Sequence, residues 1–277
     1  MKITHKKRYD DQVLEEKYQV TEEPRPVQEA QGIGLGKVRT QKTLADERLS
    51  PLEKYRLLVS GPGNFFWLLA YELITLLFGS LPGLLGLGLR QVFYPLLFRR
   101  TGKGLAIGRN VTLRHPKRIQ IGHQVVIEDG VVLDAKGETG EGIIIGDGAF
   151  IGRGTILTAR NGTLEIGPGS SISSYCRISS AKIGRKVLIA AYVYVVSGGH
   201  ATERVDIPII DQPSLALGNP EIEDGCWIGA FTMVIGEVCI GHDTIVGAHS
   251  LVNKDLPALV VAFGAPAQVK QRRTAGA

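Results

Sequence analysis

Residues 222–257 read IEDGCW IGAFTM VIGEVC IGHDTI VGAHSL VNKDLP, six blocks of six that put Ile222, Ile228, Val234, Ile240, Val246 and Val252 at one unbroken spacing. Neither the helical period of 3.6 nor the strand period of 2 produces that beat. Working back along the chain, shorter runs keep it: Ile107–Leu113, Ile121–Ile127–Leu133, Ile145–Ile151–Leu157, Ile166–Ile172–Ile178 and Ile183–Ile189–Val195. Each jump in phase marks a small insertion at a corner. An aliphatic residue at every sixth position requires a solenoid. Each unit is a short strand and a bend, three units close a triangular coil, and the aliphatic side chains stack into an axial column that no coil can bury alone. Glycine, asparagine and aspartate tolerate the backbone values the corners need. From 107 to 256 the pattern predicts an all-β solenoid of roughly eight coils, on the order of 40 Å long at a strand spacing near 4.8 Å.

The flanks differ from this core. Residues 1–50 are polar and mixed in charge, interrupted by Pro24 and Pro26, and read as a flexible or loosely packed arm with a short helix over Asp11–Val20. Residues 51–104 turn apolar, and FFWLLAYELITLLFGSLPGLLGLGL, from Phe65 to Leu89, holds a single charge, Glu72. A single membrane span is long enough, but Ser80–Leu81–Pro82–Gly83 breaks it, so two helices over 64–78 and 84–98 fit better. With Arg90, Arg99 and Arg100 at the end, this hairpin is expected either to lie on an anionic membrane surface or to cap the next domain.

Composition narrows the class further. Hydrophobic residues at 44% and charged residues at 21% exclude wholesale disorder, and 35 glycines without a three-residue period exclude collagen. The three cysteines, Cys176, Cys226 and Cys239, are too few for a disulfide framework and form no CxxC pair, so they are expected reduced and mostly buried. The net charge of +5 permits anionic partners. No cleavable leader is expected, since no apolar stretch follows the basic start MKITHKKRYDD. No phosphate loop, dinucleotide fingerprint or DNA-reading element is present, so no nucleic-acid partner is expected.

The pattern resembles the hexapeptide-repeat acyltransferases, closest to the branch with maltose, galactoside and serine O-acetyltransferases and sugar acetyltransferases of surface-polysaccharide pathways. The likeness covers about 105–270. It is most specific at Asp224–Gly225–Cys226–Trp227–Ile228–Gly229–Ala230, Val246–Gly247–Ala248, Lys254–Asp255–Leu256–Pro257 and Gly264–Ala265–Pro266–Ala267. The resemblance implies a left-handed parallel β-helix over 105–262 and a basic tail over 263–277. It also implies a homotrimer that binds acetyl-CoA between two prisms, with a loop histidine as the base. Two positions depart from that pattern: His249 stands where a glycine is usual, and Gln268 where a lysine or arginine is common.

The beat fails once at length, between Val195 and Ile222, where a loop excursion over 198–219 opens behind Gly198–Gly199 with His200. Solenoids carry functional insertions at corners, where no stacked residue is disturbed. Histidine is the natural base for removing an acceptor proton near neutrality, and His200 matches the family's base. Glu203, Asp206 and Asp211 are candidates to orient its ring, Asp206 foremost, and a backbone carbonyl would serve equally. Gln212 is read as an acceptor ligand or a turn cap. His5, His115, His123 and His242 read as arm or surface turn residues. His249 is a candidate to line the coenzyme groove.

Ala230 and Ala248, eighteen residues apart, fall on the same edge of successive coils and are the candidates to hold the coenzyme arm. Trp227 walls the acceptor cleft or packs on the corner. Lys254 and Lys270, with Arg272 and Arg273, either meet phosphates or form a solvated basic surface. No metal is expected. The expectation is thus an acetyl-CoA-dependent O-acetyltransferase acting on a sugar hydroxyl, in the cytoplasm at the inner face of the membrane. N-acylation of an amino sugar and a non-catalytic scaffold are the alternatives.

Overall fold

The computed structural model describes residues 43–274 apart from Pro62 and Glu138. The polar arm up to residue 42, with the helix expected over Asp11–Val20, lies outside the described residues.

From Arg100 onward the six-residue beat builds a left-handed parallel β-solenoid with three faces. The first face has seven strands from Arg100–Thr101 to Cys239–Ile240, the second nine from Ala106–Ile107 to Gln268–Arg272, and the third seven from Thr112–Arg114 to Leu251–Val252. Register follows the sequence pattern: Ile107, Ile127, Ile151, Ile172, Ile189, Ile228 and Val246 pair in succession along the second face. These residues are buried to 1% exposure or less, as are Leu113, Leu133, Leu157, Ile178, Val195, Val234 and Val252 on the third face. Seven full turns replace the eight expected, because the ribbon excursion over 198–219 and the longer early coils take up residues that add no turn. The turn Pro116–Arg118 and the segment 136–142 are inserted at one corner of successive coils.

Smaller buried residues fill the space beside the aliphatic column, and their polar atoms are satisfied by neighbouring coils. Ser170 Oγ donates to Gly184 O at 2.7 Å, and Thr244 Oγ1 to Pro257 O at 2.7 Å. Cys176 and Cys226 occupy such sites, and burial pushes both thiols up to about 11, so both stay protonated near neutrality.

The corner between the second and third faces departs from expectation. Asn110, Gly130 and Gly154 hold left-handed backbone there, as predicted, but Tyr175, Tyr192, Phe231 and His249 follow at φ of 56–61°. For bulky residues that conformation costs on the order of 1 kcal/mol each. Stacking offsets it: the rings lie nearly parallel at centroid distances of 5.5, 4.9 and 4.9 Å along the corner.

Among the described residues, three complete helices precede the solenoid. Ser50 and Glu53 form a capping box for α1 (Pro51–Leu58), with Pro51 in the first turn. The Asn64 side chain caps α2 (Phe65–Phe78) by accepting from Trp67 N at 2.8 Å. After the break at Pro82, α3 (Gly83–Phe93) ends sooner than expected, because Tyr94–Leu97, containing Pro95, tightens into a 3-10 turn. No helix among the described residues is long and apolar enough to cross a membrane.

These helices cover the first coil, whose carbonyls have no preceding strand to bond. Tyr71 Oη donates to Leu113 O at 2.9 Å. Buried Arg90 donates to Ile107 O at 2.9 Å, to Leu81 O at 2.8 Å and to Phe78 O at 3.1 Å. His115, expected as a surface turn residue, is buried instead, its Nε2 lying 2.7 Å from Leu57 O. The hairpin is therefore a cap. At the other end the expected basic tail is partly a strand: Gln268–Arg272 turns back antiparallel on Val260–Phe263 and closes the second face.

Candidate functional site

The break in the repeat is a β-ribbon. Gly198–His200 pairs antiparallel with Ser214–Ala216, His200 opposite Ser214, and Ala201 N donates to Pro213 O at 2.9 Å. The ribbon leaves the solenoid between the third face, after Tyr194–Val196, and the first face, before Glu221–Ile222. Its pairing fixes the backbone of His200 and leaves the side chain exposed, with no side-chain partner among the described residues.

Two residues expected beside His200 are engaged elsewhere. Asp206 forms a two-pronged ion pair with Arg204, one contact at 3.0 Å, and the guanidinium holds its carboxyl below the usual range. Its carboxylate is thus engaged by Arg204, and no hydrogen bond joins it to His200 among the described residues. Gln212 is buried to 1% exposure. Its amide nitrogen donates to Arg204 O at 2.7 Å and Ile207 O at 3.3 Å, and its oxygen accepts from Arg204 N at 3.3 Å. Of the two roles open to it, this geometry is that of the loop staple. Beyond the staple the ribbon presents an apolar tip, with Val205, Ile209 and Ile210 exposed.

Ala230 and Ala248 lie where the eighteen-residue spacing puts them, at the corner of the aromatic ladder. The coils touch closely there: a Cβ on Gly229 would stand 2.5 Å from Ala248 N, so glycine is required. His249 N donates to Ala230 O at 2.9 Å, whereas neither Ala230 N nor Ala248 N donates to a protein acceptor among the described residues. The edge thus offers two unspent donors one coil apart, 4.8 Å or so along the axis, beside side chains no larger than methyl. His249, the candidate to line the groove, stacks on Phe231 at 4.9 Å at this same corner. Trp227 projects from the second face between Leu188 and Ile245, about half exposed.

The basic candidates lie near the C-terminal end. Lys254 is exposed on the turn after Leu251–Val252. Lys270 sits over the Phe263 ring at 5.7 Å and donates to Gln268 Oε1 at 3.1 Å, and the Arg273 guanidinium donates to Asp243 O. A separate cleft of about 290 Å³ on the first face is lined by Lys182, Glu221, Glu223, Asp224 and His242. Its carboxylates make it a poor fit for an anionic ligand. Among the described residues no cluster of three metal-ligating side chains is present.

Sequence repeat and three-faced coil define a left-handed parallel β-solenoid of hexapeptide repeats. Residues 219–254 match the family described as bacterial transferase hexapeptide (six repeats). A probable acetyltransferase of Mycobacterium tuberculosis is 29% identical over 155 residues, 54% of this chain and 50% of that protein. The galactoside O-acetyltransferase of Lactococcus lactis is 49% identical over 51 residues, 18% of this chain and 25% of that one. The chain thus spans half or less of these curated relatives. Among solved structures, the N-acyltransferase AntD of Bacillus cereus, in complex with dTDP-4-amino-4,6-dideoxyglucose and coenzyme A, is similar at 22% identity. The match covers 64% of this chain and 85% of AntD at a TM-score of 0.44.

Proposed function

We propose that this chain is an acyl-CoA-dependent acyltransferase that moves an acyl group, acetyl first among the candidates, to a hydroxyl or amine of a sugar. The observation that carries the reading is the pair of unspent N–H donors at Ala230 and Ala248. An amide-rich thioester arm laid along that edge finds donors at the coil repeat beside two methyl side chains. His200 supplies the base. As the acceptor oxygen attacks the thioester carbonyl, its proton passes to the imidazole. Collapse of the tetrahedral centre expels the CoA thiolate, which takes the proton back. An amine acceptor follows the same route and loses its proton after attack. The relatives' names include both an O- and an N-transferase, and the amino-sugar reading stands on equal footing with the sugar-hydroxyl one.

The two halves of the site flank the third face of one prism: the donor edge at its start, the His200 ribbon beyond its end. A neighbouring copy brings them together, which supports a homotrimer with each site shared between two subunits. The apolar ribbon tip supports the same arrangement. Lys254 and Lys270 are the proposed phosphate contacts, Trp227 the proposed acceptor wall. We place the enzyme in the cytoplasm at the inner face of the membrane, on a lipid-linked or surface-glycan precursor.

The test is direct. Acetyl-CoA is titrated into the protein calorimetrically, and thiol release is followed over a panel of neutral sugars, amino sugars and sugar nucleotides. Saturable binding followed by acceptor-dependent thiol release is the expected result. Absence of coenzyme binding at millimolar concentration overturns the reading.

A further inference from the structure

Helices α2 and α3 carry a second apolar face that the solenoid does not cover. On α2, Phe65, Phe66, Leu69, Leu73, Leu76 and Leu77 are exposed, and at 100° per residue they share one sector of about 120°. Leu68 and Tyr71 occupy the opposite, buried side. On α3, Leu84, Leu85 and Val92 are exposed at 86, 72 and 64%, and Leu96 continues the surface beyond its end. The acid of this hairpin, Glu72, lies at the border of the apolar sector and accepts from Tyr55 Oη at 2.5 Å. Exposed large apolar side chains concentrated on two adjacent helices mark an interaction surface, unlike apolar residues scattered singly. Cations lie close to the hairpin, Lys117 on its solenoid side and Arg99 and Arg100 just after it in sequence. Lys117 lies over the Trp67 ring at 4.1 Å with its ammonium near Leu96 O, and Arg99 and Arg100 are exposed without an ion pair among the described residues.

We propose that this face seats in the interfacial layer of an anionic bilayer, with α2 and α3 lying in one leaflet and Arg99, Arg100 and Lys117 meeting lipid phosphates. Neither helix is long enough to cross, and an apolar helical face with cations close by is the pattern of an in-plane anchor. A second copy of the chain is a poorer occupant, because a two-fold contact through this face sets the basic flank against itself. The proposal deepens the membrane placement made above and rests on it, not on the acyl-transfer chemistry. Because the same hairpin caps the first coil, the solenoid's first end faces the lipid. The His200 ribbon, four coil steps further on, then stands about 20 Å from that coil.

The experiment is co-sedimentation of the full-length protein with vesicles of phosphatidylglycerol and phosphatidylethanolamine, against phosphatidylcholine alone, across a salt series. Binding to the anionic vesicles, weakened by salt, is expected. Leu76→Glu with Leu84→Glu, both at exposed positions, should lower the partition coefficient more than tenfold while circular dichroism stays unchanged. Arg99→Ala with Arg100→Ala should lower it about 25-fold, at about fivefold per cation. A full-length protein that stays in the supernatant overturns the proposal, as does vesicle binding that the two leucine changes leave intact. Self-association abolished by Leu84→Glu, without vesicle binding, assigns the face to a second copy and overturns it too. None of these measurements uses coenzyme, so failure here leaves acyl transfer to be decided independently by thiol release.

Discussion

At the scale of single residues, His200 carries the sharpest expectation. Its ring projects from a paired ribbon strand and supports no core, so His200→Ala should leave the melting temperature within about a degree. Acyl transfer should fall by roughly 10²–10⁴ if the imidazole is the base, while coenzyme affinity, held by the Ala230–Ala248 edge, stays the same. His200→Asn is the sharper variant: it keeps a hydrogen-bonding side chain and cannot accept a proton. Near-wild-type turnover by the asparagine variant with a confirmed acceptor removes the base assignment. The residues expected around it show how far sequence reaches. The position of His200, on an excursion from the coil, was legible because it stands behind two glycines at the longest failure of the repeat. The employment of Asp206 and Gln212 was not, because both are fixed by a loop that folds on itself. Asp206 pairs with Arg204 two positions away, and Gln212 closes backbone groups eight and five positions back. Contacts of that kind leave no period in the sequence.

Among the elements, strands and helices were legible to different depths. Every aliphatic residue placed by the beat of six lies in the buried column, because a solenoid repeats one local environment and periodicity reports environment directly. The aromatic ladder was missed for the opposite reason. Tyr175, Tyr192, Phe231 and His249 are separated by 17, 39 and 18 residues, and the ribbon insertion between the second and third hides the recurrence. The hairpin was visible as apolar sequence, but its attachment was not, since that depends on one side chain. Arg90 satisfies carbonyls of the first coil and of the helix break together. Arg90→Met keeps the aliphatic stem and leaves three carbonyls without their donor, a loss of roughly 2–4 kcal/mol. Thermal unfolding should then split, with the helical dichroism at 222 nm fading before the β-signal. Arg90→Lys should fall between, because one ammonium cannot reach three acceptors with the fork geometry of a guanidinium. A single unshifted transition in the methionine variant shows that the cap is held by apolar packing alone.

For the whole molecule the question is how many copies make one site. In one prism the donor edge at Ala230 and Ala248 and the ribbon bearing His200 are separated by the third face, whose outer surface carries Tyr194 and Met233, both about 40% exposed. In the shared-site arrangement proposed above, a thioester on the edge meets the imidazole of a second prism that turns its ribbon toward it. In the trimer proposed above, three copies around an axis close that contact head to tail, each edge meeting the next copy's ribbon. In a detergent that keeps the helical face dispersed, light scattering should therefore give a protein mass three times 29.9 kDa. Mass alone does not show that sites are shared, but complementation does. His200→Ala removes the base and keeps the edge, while Ala248→Trp fills the edge and keeps the base. Each homotrimer should be inactive. Unfolded and refolded together in equal amounts, they should recover about a quarter of wild-type activity, the fraction of interfaces that join an intact edge to an intact ribbon in a closed ring. Recovery confined to the mixed sample establishes sites built between copies. No recovery from mixed trimers of confirmed composition places edge and base on the same chain, with the acyl arm crossing the third face to reach His200.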